Sequence, residues 1–287
     1  MSENESGSRF PPGRAVPARA LKPRFVLGLL VMASFGGVWV ARFGAPIATR
    51  AATWLVAAAA GALAGGLYWR LALFDGAAFD DAADARRVSA RWRRVETVAV
   101  AAFAVAGVAY LATNRASPAV GTGAIGVGLV AAPLLWLGLR RSPPGRKRER
   151  QSTLRTALFA AALVALAGFA WLETGTTLAD WLVRLVHVGA FALWIGGAVW
   201  HNFVVLPTAR ARPDAAATLK SQAESFRRHV PVLVALLLAT GVYQTAGLVG
   251  FSLSALAASP VAPFVGLKAL VLVLLTGLVA ASVVRGP

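Results

Sequence analysis

Residues 182–206 read LVRLVHVGAFALWIGGAVWHNFVVL. At 1.5 Å per residue, a helix of this length spans the ~30 Å hydrocarbon layer of a bilayer with some excess. The run is too long and too unbroken for a strand. Its one full charge, Arg184, lies near its start. It reads as a membrane-crossing helix. A titratable ring inside such a helix is costly, so His187 is a candidate functional residue.

Outward from this stretch, the chain holds seven more apolar runs. The eight expected spans are 25–41, 51–69, 95–113, 119–139, 154–172, 182–206, 230–250 and 263–284. Of 287 residues, 57% are hydrophobic and 14% charged, against about 25% charged in ordinary soluble proteins. From the N-terminus, the segments flanking the spans hold 5, 2, 6, 1, 7, 1, 5, 0 and 1 Lys or Arg, with Lys268 alone well inside a span. The series alternates at every step. By the positive-inside rule this predicts an all-α, polytopic membrane protein of eight helices with both termini cytoplasmic. It also explains the net charge of +17 without nucleic acid as a partner. Membrane lipid is the expected surrounding, in the cytoplasmic membrane of a prokaryote.

Residues 1–24, rich in Pro, Gly, Ser and basic residues, read as a disordered cytoplasmic tail. Residues 25–139 read as an N-terminal four-helix region, 140–153 as a basic linker containing Pro143-Pro144-Gly145, and 154–287 as a C-terminal four-helix domain. The absence of cysteine excludes disulfides and thiolate metal sites. Only Met1 and Met32 offer thioethers, so a sulfur path for Cu(I) is nearly absent. Gly61 and Gly65 have a small-xxx-small spacing that suits a close helix crossing.

Under the alternating topology, His187 and Lys268 each lie about five residues inside an outer span end, roughly 8 Å deep. The helix between them runs the other way and brings Thr240, Tyr243 and Gln244 to the same layer. Such groups should face a bundle interior or a wet cavity. A bare packing role, with one interhelical hydrogen bond for His187 and snorkelling for Lys268, is the competing reading. Trp194 falls near mid-membrane. Glu173 and Asp180 fall in an outer loop, where they would draw in a cation or merely be solvated. His201, Asn202, Arg227, Arg228 and His229 form a second polar group at the cytoplasmic side. His201 lies about 21 Å along the helix from His187, so the two cannot share one metal ion. The metal-ligand candidates are therefore His187 on one side and His201 with His229 on the other.

Four stretches occur in order: Leu185-Val186-His187, Trp194-Ile195-Gly196-Gly197, Thr240-Gly241-Val242-Tyr243 and Gly266-Leu267-Lys268. In this order they resemble the CopD family of copper-resistance membrane proteins over about 100 residues. The His187, Trp194 and Lys268 arrangement is also similar to HemJ-type porphyrinogen oxidases, which bind haem b. The first resemblance implies a C-terminal CopD-like four-helix bundle, copper homeostasis or transport, and an extracytoplasmic copper-binding partner. The second implies a haem b protein with His187 as axial ligand. In both, His187, Lys268, Trp194, Tyr243 and Gln244 are the expected cofactor-binding residues. The second four-helix half departs from the oxidase pattern.

Overall fold

The computed structural model describes residues 23–114, 119–141, 148–174, 177–250 and 252–284. All regular structure among them is helical. In chain order it comprises α1 (Pro23–Ala41), α2 (Ile47–Ala72), α3 (Ala82–Thr113), α4 (Ala119–Arg141), α5 (Arg148–Thr174) and α6 (Leu178–Trp200). A π-helical turn at His201–Val205 leads into α7 (Leu206–Ala211), a 3-10 turn at Pro213–Ala215, α8 (Ala216–Val249), α9 (Leu253–Ala258) and α10 (Ala262–Val284). Seven of the described helical stretches are long and apolar enough to cross a membrane, and Ala262–Gly277 adds a shorter apolar one. This is compatible with a multi-pass membrane protein. Residues 1–22 of the expected tail and 142–147 of the expected linker lie outside the described residues. The linker's remaining residues extend α4 and α5.

Several helices outrun their apolar stretches. The third begins at Ala82 rather than near residue 95, because Asp81 caps it by accepting from the Ala83 N–H at 2.7 Å. Asp84 in its first turn complements the helix dipole. Arginine is a good helix former, so the basic run 86–94 continues the helix. Hydropathy sees only the part that needs oil. Likewise α8 begins at Ala216, well before its apolar stretch. The π-helical turn has a local cause. Pro207 has no N–H to donate, and the preceding Leu206 N–H reaches back five residues to the His201 carbonyl.

Glycine sets the central crossing. A Cβ on Gly65 would overlap the Ala192 carbonyl, and one on Gly196 would overlap the backbone of Gly65 and Gly66. Helices α2 and α6 therefore touch backbone to backbone, as the Gly61 and Gly65 spacing suggested. The Trp69 indole N–H reinforces this contact by donating to the Leu193 carbonyl at 2.6 Å.

Two apolar clusters result. The larger draws on α2, α3, α4, α5, α6 and the start of α8, so it takes helices from both sides of residues 140–153. The smaller joins Leu29 and Leu30 of α1 to Trp194 of α6, Leu233 and Leu237 of α8, and Val271 and Leu275 of α10. The first helix thus packs on the last one.

Candidate functional site

Helix α6 starts at Thr177, whose hydroxyl accepts from the Asp180 N–H at 3.0 Å. From that start Arg184, His187, Phe191 and Trp194 fall at helical spacing on one face. All four line a cavity of about 90 Å³. The other walls come from Leu30, Ser34 and Gly37 of α1, Trp54 and Ala57 of α2, Phe169 of α5, Leu237 of α8, and Lys268 and Leu272 of α10. The cavity is mainly apolar, with a guanidinium, an imidazole and an amine opening onto it. Its volume lies below the usual range of about 300–1,000 Å³ for small-molecule sites, so a larger ligand requires the walls to move apart.

His187 is oriented by a second helix. Its Nδ1 lies 2.8 Å from the Thr240 hydroxyl. That hydroxyl donates its single hydrogen to the Leu236 carbonyl, one turn back. It must therefore accept from His187, which places the proton on Nδ1 and leaves the Nε2 lone pair free. No hydrogen-bond partner holds Nε2 among the described residues.

Lys268 enters from α10 and lies against the backbone of α1. A Cβ on Gly37 would sit 3.5 Å from its Nζ, an ordinary contact distance, so the amine packs directly on this face of α1. No hydrogen bond or ion pair holds Nζ among the described residues. Lys268, Leu237 and Leu272 also line a second apolar cavity of about 360 Å³ between α8, α9 and α10. The lysine stands in the wall between the two spaces.

A buried ionic cluster lies at one end of the cavity. The Glu173 carboxylate is 1% exposed and takes two bonds from Arg42, at 2.6 and 3.1 Å. It also accepts from the Tyr110 hydroxyl at 2.8 Å and pairs with Arg184 at 3.5 Å. Arg42 lies in the turn after α1. Burial alone would lower its pKa, but the Glu173 carboxylate outweighs burial and raises it above the ordinary guanidinium value. Arg184 donates in turn to the Gln244 side-chain oxygen, and the Gln244 amide donates to the Thr240 carbonyl at 3.1 Å.

Of the residues expected from sequence, the structure brings His187, Lys268 and Trp194 to one cavity. Gln244 stands behind Arg184. Tyr243 points elsewhere: it is 45% exposed, and its hydroxyl donates to Asp180 at 3.2 Å. His187, His201 and His229 do not converge, and no group of three His, Cys, Asp or Glu suited to a metal occurs among the described residues. His201 opens the π-helical turn, whereas His229 is exposed, bonded to the Ser225 carbonyl and set edge-on to Trp69 at 5.0 Å. Glu173 is not a solvated loop acid but the buried partner of two arginines.

Sequence reasoning missed Arg42, Tyr110, Arg184 and Gly37. The cue for Arg184 was its place three residues before His187, one turn away on the same face. Compared with protein-family models, curated proteins and solved structures, the chain matches none.

Proposed function

We propose that this chain crosses a prokaryotic cytoplasmic membrane eight times, with α10 as the eighth crossing and both termini cytoplasmic, and that it binds haem b on His187. The observation that carries the reading is the joint placement of a free imidazole Nε2, Arg184 and Lys268 on one apolar cavity. The donor set fits the group: a single axial histidine suffices for haem iron. Thr240 supplies the outer partner that fixes the tautomer of a metal-binding histidine. Lys268 would supply a positive counterpart for one propionate, with Arg184, which also holds Glu173 and Gln244, beside it. Phe191, Trp194 and Leu237 would keep water from the ring. Bound there, the haem would supply one-electron chemistry. That suits electron transfer, or porphyrinogen oxidation if the HemJ resemblance extends to activity.

Copper handling, implied by the CopD resemblance, would use the same imidazole. It is supported less well. A bare cation meets a guanidinium and an amine in this cavity, and sulfur ligands are nearly absent from the sequence. No histidine relay joins His187 to His201 or His229.

The test is an absorbance spectrum of the detergent-purified chain, with copper content measured on the same sample. A Soret band that disappears in His187→Ala supports the haem reading. A colourless protein holding stoichiometric copper, lost in His187→Ala, would replace it with the copper reading. A colourless, copper-free protein refutes both.

A further inference from the structure

At the opposite end of the bundle, a cavity of about 570 Å³ opens between α3, α4 and α5. Arg93 and Arg94 reach it from α3, Arg140 from α4 and Arg155 from α5. One carboxylate, Glu96, lies among them, 2% exposed and 3.5 Å from the Arg155 guanidinium. It is shared electrostatically with Arg70 of α2. Arg93, Arg94 and Arg140 have no carboxylate partner among the described residues. The Arg140 guanidinium lies over the Trp136 ring at 5.1 Å. Further along the wall the lining turns apolar, with Leu139 and Val98, the latter 68% exposed.

Sidedness needs basic residues at this end, and arginines anywhere on the loops would serve it. It does not need arginines from three helices to converge on one cavity, where like charges repel. Convergence is stabilised when an anion sits among them, and the guanidinium fork matches phosphate oxygens. A tryptophan beside the arginines and an exposed apolar wall beyond them mark the level of a membrane interface. We propose that this cavity holds the phosphodiester headgroup of an anionic phospholipid, with its acyl chains along Leu139 and Val98. Basic pockets between crossing helices recognise such headgroups by charge. A free phosphate offers the same charge but nothing for the apolar wall.

The test uses the full chain in neutral detergent, titrated separately with short-chain phosphatidylglycerol, short-chain phosphatidylcholine and inorganic phosphate, with bound lipid read by native mass spectrometry and phosphate binding by calorimetry. Saturable binding of phosphatidylglycerol alone is expected. Arg94→Gln with Arg140→Gln should weaken it roughly thirtyfold, taking the usual contribution of a basic residue near an anionic headgroup. Arg86→Gln with Arg210→Gln removes the same charge away from the cavity and should leave binding unchanged. Equal binding of phosphatidylcholine, or equal loss in the two charge-matched pairs, overturns the proposal. Inorganic phosphate binding as tightly as phosphatidylglycerol reassigns the cavity to a soluble anion and overturns the lipid. If the glutamine pair does not fold, Arg94→Lys with Arg140→Lys keeps the charge and loses the fork. Undiminished phosphatidylglycerol binding in that pair overturns the proposal as well.

Discussion

Thr240→Val removes one hydroxyl and keeps the side-chain shape. In the wild type that hydroxyl accepts from His187 Nδ1 at 2.8 Å and donates to the Leu236 carbonyl. The variant leaves the Nδ1–H without an acceptor in an apolar setting. An unmade buried bond costs about 1–3 kcal/mol, and His187 is only half-buried, so about 1 kcal/mol is expected. The Leu236 contact is lost in any background, so a double-mutant cycle with His187→Ala separates the two effects. Reversible unfolding in mixed micelles should give a coupling of about 1 kcal/mol between the two sites. Loss of the outer partner should also weaken haem binding about 10–100-fold, read from the Soret band, with Thr240→Ser restoring it. Additivity of the two single variants within about 0.3 kcal/mol would refute the assigned tautomer and the free Nε2 that depends on it.

The other predictions concern the surroundings of that contact. Glu173→Gln strips two arginines of their carboxylate. It should cost about 3 kcal/mol, the low end for a broken buried pair because Arg42 is a quarter exposed, and thermal stability in detergent checks it. Gly196→Ala forces α2 and α6 apart and should cost about 2 kcal/mol or more, seen as lost monodisperse protein on size exclusion. Gly189→Ala meets nothing within 4 Å and should be neutral or slightly stabilising, so an equal loss in both variants would sink the backbone-contact argument. Lys268→Met should keep the Soret band but weaken haem retention. Unchanged retention would remove the amine from any propionate role.

The sequence by itself determined what depends on local composition. Hydropathy placed the apolar core of every long helix, and the Lys and Arg alternation supplied an expected order for their ends. Helical rise alone then set His187, Thr240, Gln244 and Lys268 at one depth. What only the tertiary structure decided is lateral: which helices are neighbours and how each is rotated about its axis. Gly37 of the first helix backs Lys268 near the end of the chain, and Glu173 turns inward between Arg42 and Arg184. Tyr243, one residue from Gln244, turns out to Asp180, while His201 and His229 stay apart from His187. The reason is physical. Oil rewards any apolar surface equally, so hydropathy fixes depth but not rotation. Rotation follows from close contacts such as Gly65 on Gly196 and from the few polar groups that must find each other away from water.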